Sequence, residues 1–390
     1  TGSKQKVVSP GLQTRLVHGG EESRDGELVP PIHRSSTYDL GNPESFDDIR
    51  YIRLNNTPTQ RAVERKLGVM EGGHALVTPS GTAAIWLAFA ALLEPGDEVL
   101  APLRIYGGTK KILDSLEKRE GIITRTVDLT KPETWEAAVN DKTKLFYAET
   151  ISNPWMLVAD LPAIGEFAKS HDLLTVVDNT LATPVLCRPR EFGIDVSLHS
   201  ASKALNGHSD VVAGAVIANE ATCLQIRKTA NRVGVCPDPE ACFLLNRGMK
   251  TLALRVNHQN TTALALARML AAHPEVESVN YPGIATDPDQ KAATDKTLQG
   301  GFGSLLSFTP KGGMTRSQKL MESLQWAREA PSLGGAEMLV CRPATTSHAG
   351  LPDEVREAMG VTTDLIRVSV GIETAEDILA DFQQALEVSG

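Results

Sequence analysis

The chain has 390 residues, of which 41% are hydrophobic and 22% charged, and its formal net charge is −9. That length supports two or three domains of roughly 100–200 residues, and the composition supplies a sizeable core. The acidic balance and the lack of a long basic run argue against nucleic acid or an anionic membrane as partner. No apolar run approaches the roughly 18 residues of a membrane-spanning helix.

Residues 1–62 read as irregular and rich in Gly, Pro and Ser, and the opening TGSKQKVVSPG lacks a signal-peptide pattern. The stretch is too long for a simple loop, so an N-terminal arm packed on a neighbouring subunit, or a partly disordered one, is expected. The pattern changes at Val63. A helix over Val63–Glu71, a short apolar run ALVTPSG and an Ala-rich buried helix within Ala83–Leu93 follow. Strand-like runs come next at Glu98–Pro102, Lys144–Thr150, Leu173–Asn179, Val196–Ser200 and Val211–Ala218, with helical stretches at Gly108–Glu117 and Leu161–His171. Strands alternating with helices predict an α/β fold around a mainly parallel sheet, here the large domain 63–245. From about Glu240 the chain turns helical, over Phe243–Leu254, Asn260–His273 and Ser317–Gln325. It closes on a strand-like LIRVSVGIE and a helix over Ala375–Val388, which together predict a smaller α+β domain, 246–390. The five cysteines are odd in number and match no zinc spacing, so no metal site is expected, and they read as reduced, buried thiols of a cytoplasmic protein.

In parallel sheets ligands bind at the carboxyl ends of the strands. Those ends carry Ser80-Gly81, Tyr106, Glu149, Asp178 and Ser200 to Lys203. Lys203 follows an apolar strand and stands among Ser200, Ser202 and other small residues, where burial would lower its pKa and free the amine. Asp178 ends the run LLTVVD and reads either as a helix cap or as an acid facing a cofactor. A lysine, hydroxyls and a strand-end acid are the parts needed to hold pyridoxal phosphate (PLP). The lysine forms the Schiff base, the hydroxyls take the phosphate, and the acid keeps the ring nitrogen protonated. Ser80-Gly81-Thr82, ahead of the Ala-rich helix, suits a phosphate or a simple cap. Tyr106 stands beside Gly107 and Gly108, where its ring could stack on a flat cofactor or simply pack. Arg367, inside the apolar run LIRVS, wants a carboxylate, either structural or from an amino-acid substrate. Tyr51 and Arg53 in DDIRYIR could by themselves form a solvated cluster.

These segments resemble the Cys/Met-metabolism PLP enzymes of the trans-sulfuration group from about Pro31 to the C-terminus. The markers are SGTAAI, IYGGT, ETISNP, VVDNT, DVSLHSASKALNGHSDVVAGAV, NRGMKTLALR, SLGGAE and LIRVSVGIE. The resemblance implies PLP fold type I, the aspartate-aminotransferase-like fold with a seven-stranded-type sheet. It also implies a homotetramer built as a dimer of dimers, with active sites shared between subunits. It assigns Lys203 to the Schiff base and to proton transfer, Asp178 to the pyridinium nitrogen and Tyr106 to ring stacking. Ser80, Gly81, Thr82, Ser200 and Ser202 would hold the phosphate, and Tyr51 and Arg53 would reach the phosphate of the neighbouring subunit. Asn153 would meet both cofactor and substrate, Arg367 would hold the substrate α-carboxylate, and Ser332 would steer the lysine.

Departures from the family pattern bear on the substrate. The arm reads Tyr51-Ile52-Arg53-Leu54-Asn55-Asn56, one residue longer than usual in the family, and Ser202 and Ala204 alter the lysine motif. Pro331 stands where γ-enzymes carry Glu and β-lyases carry Tyr. Lys110-Lys111 follows IYGGT where an Arg is usual, and Gly108 occupies the Cys position of methionine γ-lyases. VSVGIE and the SLGG loop lean to the γ side. The resemblance therefore implies a lyase that takes a small sulfur amino acid by γ-elimination to a 2-oxo acid, ammonia and a thiol. The alternatives are γ-replacement on an O-acylhomoserine, β-elimination, and a catalytically inactive binding protein on the same scaffold.

Overall fold

The computed structural model describes residues 10–20, 26–45 and 48–390. Of the opening stretch TGSKQKVVSPG, residues 1–9 lie outside them. Part of the expected arm nevertheless packs on its own chain. Helix α1 (Leu12–His18) buries Leu16 in the core, and the Lys66 ammonium donates to the Leu16 carbonyl at 2.8 Å.

Helix α2 (Pro58–Glu71) begins five residues before the expected Val63, because Pro58 pre-sets the first turn and Thr57 and Gln60 form a capping box. After it come β1 (His74–Thr78), α3 (Gly81–Leu92), β2 (Glu98–Pro102), α4 (Gly107–Glu120), β3 (Ile123–Val127) and β4 (Thr143–Glu149). Next are α5 (Leu161–Ser170), β5 (Leu174–Asp178), α6 (Thr183–Leu186), β6 (Val196–His199), β7 (Gly214–Ala218) and α7 (Glu220–Val233). The seven strands form one sheet in the order β1-β7-β6-β5-β4-β2-β3. Only β7 opposes its neighbours; the block β6-β5-β4-β2-β3 is parallel throughout, as the alternation predicts. Apolar clusters cover both faces, which is why these strands read as continuous hydrophobic runs.

The remainder runs α8 (Pro239–Met249), α9 (Leu252–Ala272), β8 (Val276–Asn280), α10 (Pro288–Thr297), β9 (Leu305–Pro310) and α11 (Gly313–Ser323). It ends with β10 (Arg328–Glu329), β11 (Leu339–Cys341), α12 (Asp353–Ala358), β12 (Ile366–Ser369) and α13 (Ala375–Val388). Five of these strands form a second sheet, β10-β11-β12-β9-β8, backed by a third apolar cluster that includes Leu266, Leu320 and Phe382. The helix expected over Phe243–Leu254 is broken at Lys250 and Thr251. There the buried Arg255 guanidinium donates to the Gly248 carbonyl at 2.9 Å and to the Ala204 carbonyl at 2.8 Å, tying the break to the Lys203 loop. The boundaries expected at 62/63 and 245/246 fall inside α2 and α8. Among the described residues no helix is long and apolar enough to cross a membrane, and no cluster of His, Cys, Asp and Glu could hold a metal ion.

Candidate active site

The carboxyl ends of the parallel strands open onto a cavity of about 830 Å³. Its walls include Ser80, Gly81, Thr82, Tyr106, Asn153, Asp178, Ser200, Ser202, Lys203, Ser332 and Arg367, so eleven of the thirteen residues singled out in the sequence meet there. Tyr51 and Arg53 do not. The Arg53 guanidinium donates to the Asn231 carbonyl at 2.8 Å and stacks on the Tyr51 ring, away from this cavity.

Three short segments shape one end. Ser80 caps α3, its hydroxyl accepting from the Ala83 N–H at 3.1 Å. The helix start lies so close to the Lys203 loop that a Cβ on Gly81 would come within 2.7 Å of the Ser200 Cα. The Ser200 N–H donates to the Thr180 hydroxyl at 2.7 Å, and the Ser202 hydroxyl bridges the N–H and carbonyl of Ala213. Free helix N–H groups and several hydroxyls thus face one small volume, which suits a phosphate.

Lys203 is half-buried, and its ammonium donates to the Ser332 hydroxyl at 3.0 Å. Burial, and then the positive charge of Arg367, lower its pKa, so the amine is easier to free than an ordinary lysine. Ser332 arrives from the second half of the chain on the SLGG loop. Gly334, at φ 73°, lets that loop lie against Ala204, where a Cβ would meet the Ala204 nitrogen at 2.6 Å. Arg367 in β12 is only 2% exposed. The carboxylate expected for it is not supplied by the described residues. Its guanidinium donates to the Ser332 carbonyl at 3.0 Å, the Pro331 carbonyl at 3.3 Å and Asn153 Oδ1 at 3.4 Å, while its Nε has no partner. An orphaned, buried guanidinium donor on a cavity wall fits an incoming carboxylate.

Asp178 ends β5, where its carboxylate accepts from the Thr180 N–H at 2.9 Å. Burial raises its pKa, while the Thr180 bonds and the nearby His199 pull it back. His199 lies beneath the site. Its Nε2 meets Glu71 Oε1 at 2.5 Å in a fully buried pair, and Asn179 Nδ2 donates to the same oxygen at 3.2 Å. Tyr106 stands at the start of α4, its phenol pKa raised by burial, Asp178 and Glu149.

Glu149, noted in the sequence as a strand end, and Lys111, noted as a departure from the family pattern, also line the cavity, while Thr180 and Thr345 to Ser347 have no site role in the sequence reading. Glu149 had a signal in its place at a strand end. The segment 345–347 had none, since a polar stretch without periodicity announces no wall.

The cavity fits PLP on three counts: the anion-binding end at α3, the half-buried amine of Lys203 and the acid Asp178 across from it. Comparison with known proteins agrees. The model of the Cys/Met metabolism PLP-dependent enzymes matches residues 13–387. The chain is 39% identical over 385 residues to a cystathionine β-lyase of Lactococcus lactis subsp. cremoris, covering 96% of this chain and 99% of that one. It is 38% identical over 393 residues to an L-methionine γ-lyase of Pseudomonas putida, covering 97% and 98%. A cystathionine γ-synthase structure from Xanthomonas oryzae pv. oryzae, in complex with cystathionine, superposes with a TM-score of 0.94 at 36% identity, covering 98% and 99%. The fold is PLP fold type I, the cofactor is pyridoxal 5'-phosphate, and the chain belongs to the Cys/Met metabolism PLP-dependent enzymes, acting on sulfur amino acids.

Proposed function

We propose that this enzyme is a γ-lyase that cleaves a sulfur amino acid to a 2-oxo acid, ammonia and a thiol. When bound, PLP supplies the electron sink that stabilises negative charge at the substrate α-carbon. The chain's own groups do the rest. Arg367 holds the α-carboxylate with donors that now rest on the Pro331 and Ser332 carbonyls and with its unpartnered Nε. Asp178 holds the ring nitrogen, Tyr106 covers the ring, and Ser80, Gly81, Thr82, Ser200 and Ser202 surround the phosphate. Asn153, bonded to Arg367, lies between cofactor and substrate. Lys203 Nζ takes the Cα proton as general base.

The contact that supports the γ reading is Lys203 to Ser332. γ-Elimination needs the amine to collect protons from two adjacent carbons in turn, whereas β-elimination needs one. A hydroxyl partner 3.0 Å away gives that amine a second resting position. The SLGG loop that carries Ser332, and Pro331 beside it, place no acid or phenol at this edge of the cavity.

We also infer a homotetramer, a dimer of dimers, in a reducing cytoplasmic compartment. The cations lining the cavity are Lys111, Lys203 and Arg367, while Tyr51 and Arg53 sit outside. That division supports their service to a neighbouring subunit. All five cysteines are free thiols. The arm, large and small domains at 1–62, 63–245 and 246–390 remain our proposed division, with helices α2 and α8 bridging its seams.

The test is a product screen of the PLP-loaded enzyme with methionine, cystathionine, homocysteine and O-acylhomoserines. 2-Oxobutyrate, ammonia and a thiol are expected. Pyruvate as the main product from cystathionine would establish β-elimination instead. Thiol-dependent replacement without 2-oxobutyrate would establish the γ-synthase.

A further inference from the structure

Glu149, at the end of β4, is the cavity residue with the least expected environment. It is the register partner of Asp178 on the adjacent parallel strand, so the two side chains leave the same face of the sheet about 4.8 Å apart at their backbones. Both line the cavity, and Glu149 is only 4% exposed. Its Oε1 accepts from the Tyr106 N–H at 2.6 Å, and the carboxyl also accepts from the Asn153 N–H. Tyr106 and Asn153 come from different loops, and this one carboxyl ties both to the cavity wall. Glu149 also faces a neighbouring cavity of about 410 Å³ that contains Arg104, so it forms part of the partition between the two.

Two carboxylates cannot both be charged cheaply at this spacing and burial. The groups around Glu149 decide which keeps its charge. Asp178 faces it from β5; burial raises its pKa, while two Thr180 bonds and the nearby His199 pull it back. Tyr106 faces it from the start of α4 and Tyr147 from β4 itself. Lys203, Lys111 and Arg367 share the cavity wall, and Arg104 the far side of the partition, but none of these cations bonds to it. Asp178 has the better support for a negative charge, so the proton belongs on Glu149. Burial, and then Asp178, push the Glu149 carboxyl up to about 8.

We propose that Glu149 is a positioning residue of this site, present as a neutral carboxylic acid that fixes Tyr106 and Asn153 beside a single charged carboxylate, Asp178. Its neutrality leaves the negative field at the ring-nitrogen end to Asp178 alone. On ionisation a second charge would appear beside Asp178 and the Tyr106 phenol, making that phenol harder to ionise.

The test compares PLP-loaded wild type, Glu149→Gln and Glu149→Ala. The infrared difference between wild type and Glu149→Gln at neutral pH should contain a carboxylic-acid C=O band that shifts in D2O and fades on the alkaline side. The pH profile of kcat/KM should lose an alkaline ionisation in Glu149→Gln, whose amide mimics the neutral acid. Glu149→Ala should bind PLP at least about tenfold more weakly than Glu149→Gln, since the Tyr106 and Asn153 N–H groups lose their acceptor. Absence of the infrared band, or a Gln variant that binds PLP as weakly as the Ala variant, would overturn the proposal. The inference rests on PLP occupying this cavity. A wild-type protein without a PLP absorbance band would sink that reading, whereas a normal PLP band without the carboxylic-acid signal would sink this one alone.

Discussion

Gly81→Ala is the sharpest small perturbation of the phosphate end. The added Cβ would lie 2.7 Å from both Cα and Cβ of Ser200 and 2.9 Å from its hydroxyl, where ordinary contact starts at 3.4 Å. The Ser200 Cα is backbone and cannot swing aside, so the start of α3 and the Lys203 loop must part by roughly 0.7 Å. Overpacking of this kind costs about 1–3 kcal/mol. Against it stands the helix preference of Ala over Gly, at most about 1 kcal/mol and less at a first turn. The clash therefore wins, and it falls on the walls that would clasp the phosphate. Part of that cost spent on cofactor binding predicts a dissociation constant for PLP raised about tenfold or more. The assay is a PLP titration of the apo-protein followed by absorbance, with melting curves of apo- and PLP-loaded forms. Wild-type affinity in a folded Gly81→Ala variant would refute the close approach of these two segments, and with it the phosphate assignment.

Three further outcomes are expected. Ser332→Ala should keep the PLP absorbance band but lower kcat by about tenfold, because a charge-assisted hydrogen bond to Lys203 is lost; stopped-flow traces should place the loss in proton transfer. Arg255→Met should lower the unfolding free energy by about 3 kcal/mol or more in denaturant melts, since carbonyls of Ala204, Leu205, Asn206 and Gly248 all depend on that guanidinium. Glu98 is held down to about 2 by two hydrogen bonds from Arg125 and one from Asn140. Its folded value is depressed, so its stabilisation is full above about pH 4.5 and fades as pH falls toward 2. Acid titrations of stability should show that loss in the wild type and a smaller one in Arg125→Gln.

Much of this architecture is written in the chain at the level of single elements. Glu98–Pro102 and Ala375–Val388 stand at their expected ends, the first as an apolar run and the second as an amphipathic helix. β3 escapes notice because Ile123–Val127 is a mostly exposed edge strand whose Thr and Arg residues do not read as core. β9 escapes notice too: its LLSFTP run is apolar but short, and it becomes recognisable as a strand only beside β8 and β12. In the site, Lys203 and Asp178 are legible from their immediate neighbours. The positioning role proposed for Glu149 is not, because it depends on the register of β4 against β5, and register is a property of two strands rather than of one. Likewise Arg367 advertises a need for a partner, but that its donors rest on the 331–332 carbonyls emerges only when the two sheets are brought together.

The SLGG loop has a consequence for how such a chain can diversify. Lys203 and Asp178 hang from the first sheet, while Ser332, reaching in from the 331–335 loop, and Arg367 belong to the second. Of residues 331–347, Pro331 to Leu333 and Thr345 to Ser347 line the cavity, whereas Asp178 and the Lys203 loop have supports of their own in Thr180, His199 and Arg255. The two halves meet at the Lys203–Ser332 contact, so changes at the cavity rim that keep the Ser332 hydroxyl leave the support of the amine in place.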